Sequence, residues 1–297
     1  MINISIKEKL ENLWVNIETN KIGKSTEWGG ADVVICSVPD QSQIKWAEEQ
    51  NIVIGFQYYE PKKRLVVTKH SKELSWLFNE LKEIFSEKID FANKYDFYGL
   101  LAQTAINYIN YNKVNENINE LLISVISQAM EFIITDSDVK YYFAYGKNMD
   151  INELQDRLKK HNIENEEIQN IINTRKLGTL NGYSLVFNKK ASDGDYSYAN
   201  IKKNKNDIVE GILFDFKYNS FISCLDKNEG YPKHYRRELR KINNNNETVY
   251  AVVYIANNDY IIENLKPKMD YINHLLAGAE GFLSKDYILK KISKKDE

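Results

Sequence analysis

Three groups of residues in the second half of this 297-residue chain carry types and spacings that could do chemistry. The first is Tyr142-Phe143-Ala144-Tyr145-Gly146-Lys147-Asn148-Met149. An apolar, β-prone run stops at Gly146, and polar Asn148 precedes a helical pattern. A strand–loop–helix junction of this kind turns backbone N–H groups toward one spot, which suits a carboxylate or a phosphate. An ordinary tight turn is the competing reading, since glycine supplies backbone freedom wherever a chain turns. The second group is Leu225-Asp226-Lys227-Asn228-Glu229-Gly230-Tyr231-Pro232, followed by Tyr235-Arg236-Arg237-Glu238. A partly buried Glu229 would have a raised pKa, as an acid/base catalyst needs; a solvated Glu beside a helix-capping glycine is the alternative. The third is Tyr271-Ile272-Asn273-His274-Leu275-Leu276-Ala277-Gly278-Ala279-Glu280, an amphipathic helix with Tyr271 near its start, where a packing role competes with a binding one.

The elements that must position these groups follow from periodicity. YYFAYG (141–146) reads as a strand ending at glycine. Residues 150–162 and about 164–174 read as helices, with Asp150 as N-cap and Glu153 three positions on, as in a capping box. Residues 182–189, 196–202 and 208–216 read as three strands, and 221–228 as a short helix. Residues 236–242 and 247–256 flank Asn243–Asn246 and read as a hairpin. Residues 268–280 and 284–293 read as helices. In the first half, Ile6, Leu10, Leu13, Trp14 and Ile17 mark one face of a helix over 1–20. Residues 31–39 read as a strand, 51–59 and 64–68 as a hairpin, and 71–87, 95–112 and 116–134 as helices. The polar segment 135–140 separates two domains, 1–137 and 138–297.

Composition bounds the partners. The net charge is −2, with 43% hydrophobic and 28% charged residues, which argues against a protein built to coat nucleic acid. Residues 1–140 hold 15 Lys and Arg against 20 Asp and Glu, and residues 141–297 hold 25 against 22. The mildly basic second half suits a small anionic ligand. Two cysteines, Cys36 and Cys224, are too few for a disulfide framework or a four-cysteine zinc site, and the four histidines show no metal-ligand spacing. The expectation is a cytoplasmic protein in a reducing compartment, with no metal and no cofactor. The N-terminus lacks a signal-peptide core and no run of about 18 apolar residues is present, so no membrane is expected as a partner.

Taken together, the order and spacing of these segments resemble the γ-glutamylcyclotransferase family over about residues 141–292. YFAYGKNM resembles that family's YFAYGSNM-type opening, and LGTLNGYSLVFN (177–188) its second strand region. GILFDF (211–216) with LDKNEGYPKHYRRE (225–238) resembles its catalytic Glu-Gly segment, and YIA (254–256) with YINHLLAGAEGFLSKDY (271–287) its closing strand and helix. The opening loop differs from that of the glutathione-specific branch.

The resemblance implies an α+β fold, a mixed β-barrel or curved sheet with surrounding helices, preceded by a separate α/β or α+β domain with a helical C-terminal part. It implies cleavage of a γ-glutamyl amide by internal cyclisation to 5-oxoproline and free amine, without metal or cofactor. Glu229 would be the general acid/base. Tyr142, Phe143, Ala144, Tyr145, Gly146, Lys147 and Asn148 would form the substrate-binding loop, and Tyr271 would bind or cover the substrate. The family's usual Ser is replaced by Lys147, which keeps a backbone N–H but loses a hydroxyl. The alternative function is therefore a catalytically weakened ligand- or partner-binding regulatory protein on the same fold, favoured if Lys147 fills the pocket or pairs with Glu229.

The first half resembles no family. Trp14, Trp28, Trp46 and Trp76 read as core or margin residues. Gly29-Gly30 is no phosphate motif, and Lys62-Lys63-Arg64 reads as a solvated turn. Substrate selection, a protein partner or homo-oligomerisation stay open for this domain.

Overall fold

The computed structural model describes residues 8–13, 56–57, 64–65, 123–128, 130–131, 140–216, 218–245 and 247–293. The chain divides into two compact units, Met1–Asp136 and Ser137–Glu297. In the first, residues 8–13 are helical with Leu10 and Leu13 buried. The strands β1 (Phe56–Gln57) and β2 (Arg64–Leu65) pair antiparallel, Phe56 opposite Leu65, as the hairpin reading expects. Residues 123–128 and 130–131 are helical, with Ile123, Val125, Ile126 and Met130 buried. The expected strand 31–39, the helices 71–87 and 95–112, the four tryptophans, Gly29-Gly30 and Cys36 lie outside the described residues.

The second unit is a closed five-stranded barrel in the order β3-β5-β4-β6-β7. Its strands are β3 (Lys140–Ala144), β4 (Lys176–Lys190), β5 (Ser197–Phe216), β6 (Tyr235–Asn244) and β7 (Glu247–Ala256). All pairs are antiparallel except β3 with β7, where Tyr141 and Tyr142 lie opposite Ala251 and Val252 in parallel. That parallel pair closes the barrel and makes the sheet mixed, the first of the two architectures, barrel or curved sheet, that the family resemblance implies. The last six residues of β7, Ala251–Ala256, are all buried, which is why AVVYIA reads as a continuous apolar run and not as an alternation.

The barrel interior is fitted around Phe143. Gly178 and Gly211 face each other across β4 and β5. A Cβ on either would lie within 2.8–3.0 Å of the Phe143 ring or of Ile242 Cγ2. Close-packed interiors leave no slack for such atoms. The two glycines are therefore the space that the aromatic ring occupies.

Two expected strands, 196–202 and 208–216, are one 20-residue strand. The polar run Lys202–Asp207 looks like a break because alternation stops there. The ladder with β4 is interrupted there and resumes, Tyr183 opposite Lys203 and Asn181 opposite Ile208, so that Asn204–Asp207 bulge out opposite Gly182, whose φ is +80°. An exposed bulge that rejoins the same partner strand carries no hydrophobic signature of its own.

Around the barrel lie α1 (Ile151–Lys160), α2 (Asn165–Asn173), α3 (Tyr218–Glu229) and α4 (Met269–Ala279). Asp150 caps α1 by accepting from Asn152 N at 3.0 Å. Glu153 does not complete a capping box; it pairs with Lys147 at 2.9 Å and lies 3.4 Å from His274 Nε2. The expected helix 284–293 is a short turn, Lys285–Tyr287, running into a π-helical segment, Ile288–Ile292. The hairpin β6–β7 turns at Asn245, whose φ of +46° is tolerated by asparagine.

Helix α4 lies on the backbone that follows β3. A Cβ on Gly278 would stand 2.4 Å from the Met149 carbonyl carbon and 2.5 Å from Asp150 N. Those are main-chain atoms and cannot swing aside. Gly278→Ala is expected to cost roughly 1–3 kcal/mol and to lower the melting temperature by several degrees, read by calorimetry; an unchanged melting temperature would contradict this packing.

Candidate active site

β3 delivers its C-terminal end to one end of the barrel, and the chain then turns through Tyr145 and Gly146 into a single 3-10 turn, Lys147–Met149. No side chain caps that turn at Gly146. Its N–H groups are not used by a preceding helical turn. Gly146 is held at close range: a Cβ there would be 3.1 Å from the Tyr271 hydroxyl and 3.6 Å from Ala199 Cβ.

Glu229 arrives from another direction, as the last residue of α3. The helix ends in a Schellman arrangement, with Tyr231 N donating to Asp226 O at 2.9 Å and Gly230 N to Lys227 O at 3.3 Å. Gly230 takes the left-handed conformation that this cap requires, φ +65°. The capping glycine is thus real, yet Glu229 is not a solvated residue: only 17% of its side-chain surface is exposed. Asn148 Nδ2 donates to Glu229 Oε1 at 3.0 Å and to the Tyr142 hydroxyl at 2.8 Å. Arg157, from α1, reaches the same Oε1 at 3.4 Å. Burial raises the Glu229 pKa above its ordinary 4.5; Arg157, Asn148 and Lys189 oppose the rise without cancelling it.

These groups line a cavity of about 540 Å³. Of the residues expected at a site, Tyr142, Phe143, Tyr145, Gly146, Lys147, Asn148, Glu229 and Tyr271 border it, and Ala144 does not. Ala144 is buried and its carbonyl faces Gly211, so its role is to close the strand. Tyr145 contributes its ring, because its hydroxyl is spent on the Tyr254 carbonyl. Tyr271 accepts a bond from Ala199 N at 3.1 Å, which leaves its own proton for a ligand. Burial, then the Glu229 charge, raise the Tyr142, Tyr145 and Tyr235 hydroxyls above their ordinary range, and burial raises Tyr271. These phenols are donors and not bases.

Lys147 borders the cavity but pairs with Glu153, not with Glu229. Glu153 and Asp150 also hold His274 of α4, the latter through Nδ1 at 2.7 Å. The Lys147 side chain is thus tied to the first turn of α1. Burial pushes the Cys224 thiol up to about 11, which removes it as a nucleophile. Among the described residues no three His, Cys, Asp or Glu side chains gather as a metal site would need.

Sequence reading missed Arg157, Lys189, Tyr198, His234 and Tyr254. Arg157, Lys189, Tyr198 and Tyr254 sit inside elements whose periodicity explains them without a ligand, and His234 sits in the turn before β6. Only the basic lean of the second half hinted at the cations.

Residues 142–273 match the family model described as gamma-glutamyl cyclotransferase, AIG2-like. The match lies within the C-terminal unit, over the stretch whose motifs resemble that family. Among solved structures, YkqA from Bacillus subtilis aligns at 24% identity over 56% of this chain and 58% of its own, with a TM-score of 0.47. A structure described as a gamma-glutamyl cyclotransferase aligns at 19% identity over 52% of this chain and 87% of its own, TM-score 0.42. An uncharacterized protein from Homo sapiens aligns at 21% identity over 53% and 88%, TM-score 0.43. The chain thus spans less than two thirds of the length of YkqA. No curated protein matches it significantly. Among the described residues no helix is long and apolar enough to cross a membrane.

Two consequences of the Glu229 environment can be measured. Arg157 holds the carboxyl down against burial, so Arg157→Met should raise its titration midpoint further, read by carbon NMR of the labelled carboxyl; an unmoved midpoint would remove Arg157 from this role. Because the folded chain binds the Glu229 proton more tightly than the unfolded chain, stability is lost as pH rises from the unfolded pKa through the folded one. Glu229→Gln removes that loss, so its melting temperature should gain on the wild type as pH is raised through this window.

Proposed function

We propose that the C-terminal unit cleaves γ-glutamyl amides by internal cyclisation, with Glu229 as general acid and base. The observation that carries this reading is Glu229 itself: a largely buried carboxylate of raised pKa, hydrogen-bonded to the loop across an open cavity.

The substrate's glutamyl half lies on the loop, its α-carboxylate facing the N–H groups at Gly146 and Lys147 and the Tyr271 hydroxyl. This folds the chain so that the α-amine meets the γ-carbonyl at about 3 Å, which converts the attack into a step of high effective concentration. Glu229 takes a proton from the α-ammonium. The freed amine attacks the γ-carbonyl carbon, the ring C–N bond forms, and the amide C–N bond breaks. Glu229 returns its proton to the departing nitrogen, the ring nitrogen gives up one of its two remaining protons to Glu229, and 5-oxoproline and a free amine leave. A carboxyl that both takes and gives a proton works best with a pKa lifted toward the working pH. Loop amides offset charge developing on the γ-oxygen.

Lys147 is engaged with Glu153, which leaves Glu229 to Asn148 and Arg157. This supports an enzyme over a weakened binding module. The test is 5-oxoproline release from a panel of γ-glutamyl amides and dipeptides, followed by mass spectrometry. Glu229→Gln should lower the rate by at least roughly 10²-fold while the protein stays folded. Release that survives the substitution, or no release from any substrate by folded wild type, would overturn the reading.

A further inference from the structure

Glu229 is the last residue of α3, and helices fray at their ends. A carboxyl that stays 3.0 Å from Asn148 Nδ2 needs its helical turn held from outside. Asp226, three residues earlier on the same helix, is where it is held. The Asp226 carbonyl accepts the Tyr231 N–H that closes the helix end. The Asp226 carboxylate accepts from the Tyr254 hydroxyl at 2.7 Å and from the Arg237 guanidinium. Arg237 of β6 and Tyr254 of β7 stand opposite one another in their ladder, so their side chains leave one face of the sheet and close on one carboxylate. Arg237 also lies 5.0 Å from the centroid of the Tyr231 ring, just beyond the helix.

By local rules Asp226 is a poor residue for that turn. Aspartate has low helix propensity, and a carboxylate in the last turn faces the negative end of the helix dipole. The tertiary contacts are what favour it there. Tyr254 is 3% exposed, so its hydroxyl needs a partner, and that need alone would explain one bond. Tyr254 makes a second tie with its main chain: its carbonyl accepts the Tyr145 hydroxyl of the loop. Its ring also meets Tyr142 edge-on at 6.1 Å, and the Tyr142 hydroxyl shares Asn148 with Glu229.

Tyr254 is thus joined both to the helix that carries Glu229 and to the loop that faces it across the cavity. We infer that Tyr254 is a positioning residue that sets the gap between Glu229 and the loop, holding the helix through its hydroxyl and the loop through its carbonyl. Arg237 steadies the carboxylate that the hydroxyl grips. The effect of Tyr254 on turnover rests on the cyclotransferase reading. Its effect on the Glu229 carboxyl does not.

Tyr254→Phe deletes the hydroxyl and keeps the ring, the ladder and the carbonyl. Burial raises the Glu229 pKa and the Asn148 bond opposes the rise. A helix end set loose from Tyr254 weakens that bond, so the Glu229 titration midpoint should move up, read by carbon NMR of the labelled carboxyl on the full chain. With the fastest substrate of the γ-glutamyl panel, kcat should fall at least about tenfold, as small misplacements of a reacting group do. KM should stay within about threefold, because the loop keeps its tie. Tyr145→Phe deletes the loop tie instead and should raise KM more than it lowers kcat. Asp226→Ala should lower kcat at least as far as Tyr254→Phe, and adding Tyr254→Phe to it should bring no further loss, because both act through one bond. Alanine favours the helix, so Asp226→Ala, with kcat reduced and KM kept, serves should Tyr254→Phe fail to fold.

An unmoved Glu229 midpoint in folded Tyr254→Phe, a loss confined to KM, or additive losses in the double variant would overturn the inference. A lowered melting temperature with midpoint and kinetics unchanged would also overturn it, by reducing Tyr254 to packing. Two outcomes separate this claim from the one it rests on. Release by wild type that Tyr254→Phe leaves at full rate keeps the cyclotransferase and sinks the positioning role. A shifted midpoint in a protein that releases no 5-oxoproline keeps the positioning role and sinks the cyclotransferase.

Discussion

The C-terminal unit is organised around keeping the Glu229 carboxylate largely out of water while leaving it in reach of a cavity. Such a group is costly, because a charge loses its hydration and regains only what its neighbours offer. Here the neighbours are one amide and one guanidinium, at 3.0 and 3.4 Å on the same oxygen. They fall short of cancelling the burial, and the carboxyl keeps a raised pKa. A stronger pair would have fixed Glu229 as a permanent anion, unfit to take and return a proton. The balance also explains why Lys147 and Arg237 are engaged elsewhere, the first with Glu153 and the second with Asp226.

That balance depends on the barrel. Asn148, Arg157 and Glu229 belong to three elements, and each is placed by how its element leaves the sheet. The loop follows β3, whose pairing with both β5 and β7 fixes where it ends. Helix α4 presses on that loop at Gly278, while His274 grips Asp150 and Tyr271 reaches Ala199. The loop is thereby pinned from above as well as from below. A backbone grip on a substrate needs such rigidity, since amides that move cannot hold two reacting atoms at contact distance.

Cations are distributed around the same cavity in different states. Arg157 tunes the carboxyl, Lys147 braces α1, and Lys189 is buried among tyrosines. Their types in sequence are nearly interchangeable, and burial and partners set them apart. The mild basic excess of residues 141–297 becomes three separate settings once each side chain has a place.

Much of the fold was legible because it is local. Asp150 as a cap, the turn at Asn245 and the glycine after Glu229 are decided by residues a few positions apart. The polar run Lys202–Asp207 misled because the chain bulges there opposite Gly182 and then rejoins the same partner strand, which residue types do not distinguish from a turn between two strands. The site was legible where its residues are contiguous, as in Tyr142–Asn148, and where a motif marks one residue, as at Glu229-Gly230. Arg157 and Lys189 were not, because their partners stand 72 and 45 positions away. By itself the sequence determined the elements, their caps and the kinds of groups available, since these rest on short-range sterics and hydrogen bonds. Only the tertiary structure decided which carboxylate is buried and which cations oppose it, because desolvation and Coulomb energy depend on distances that chain order does not contain.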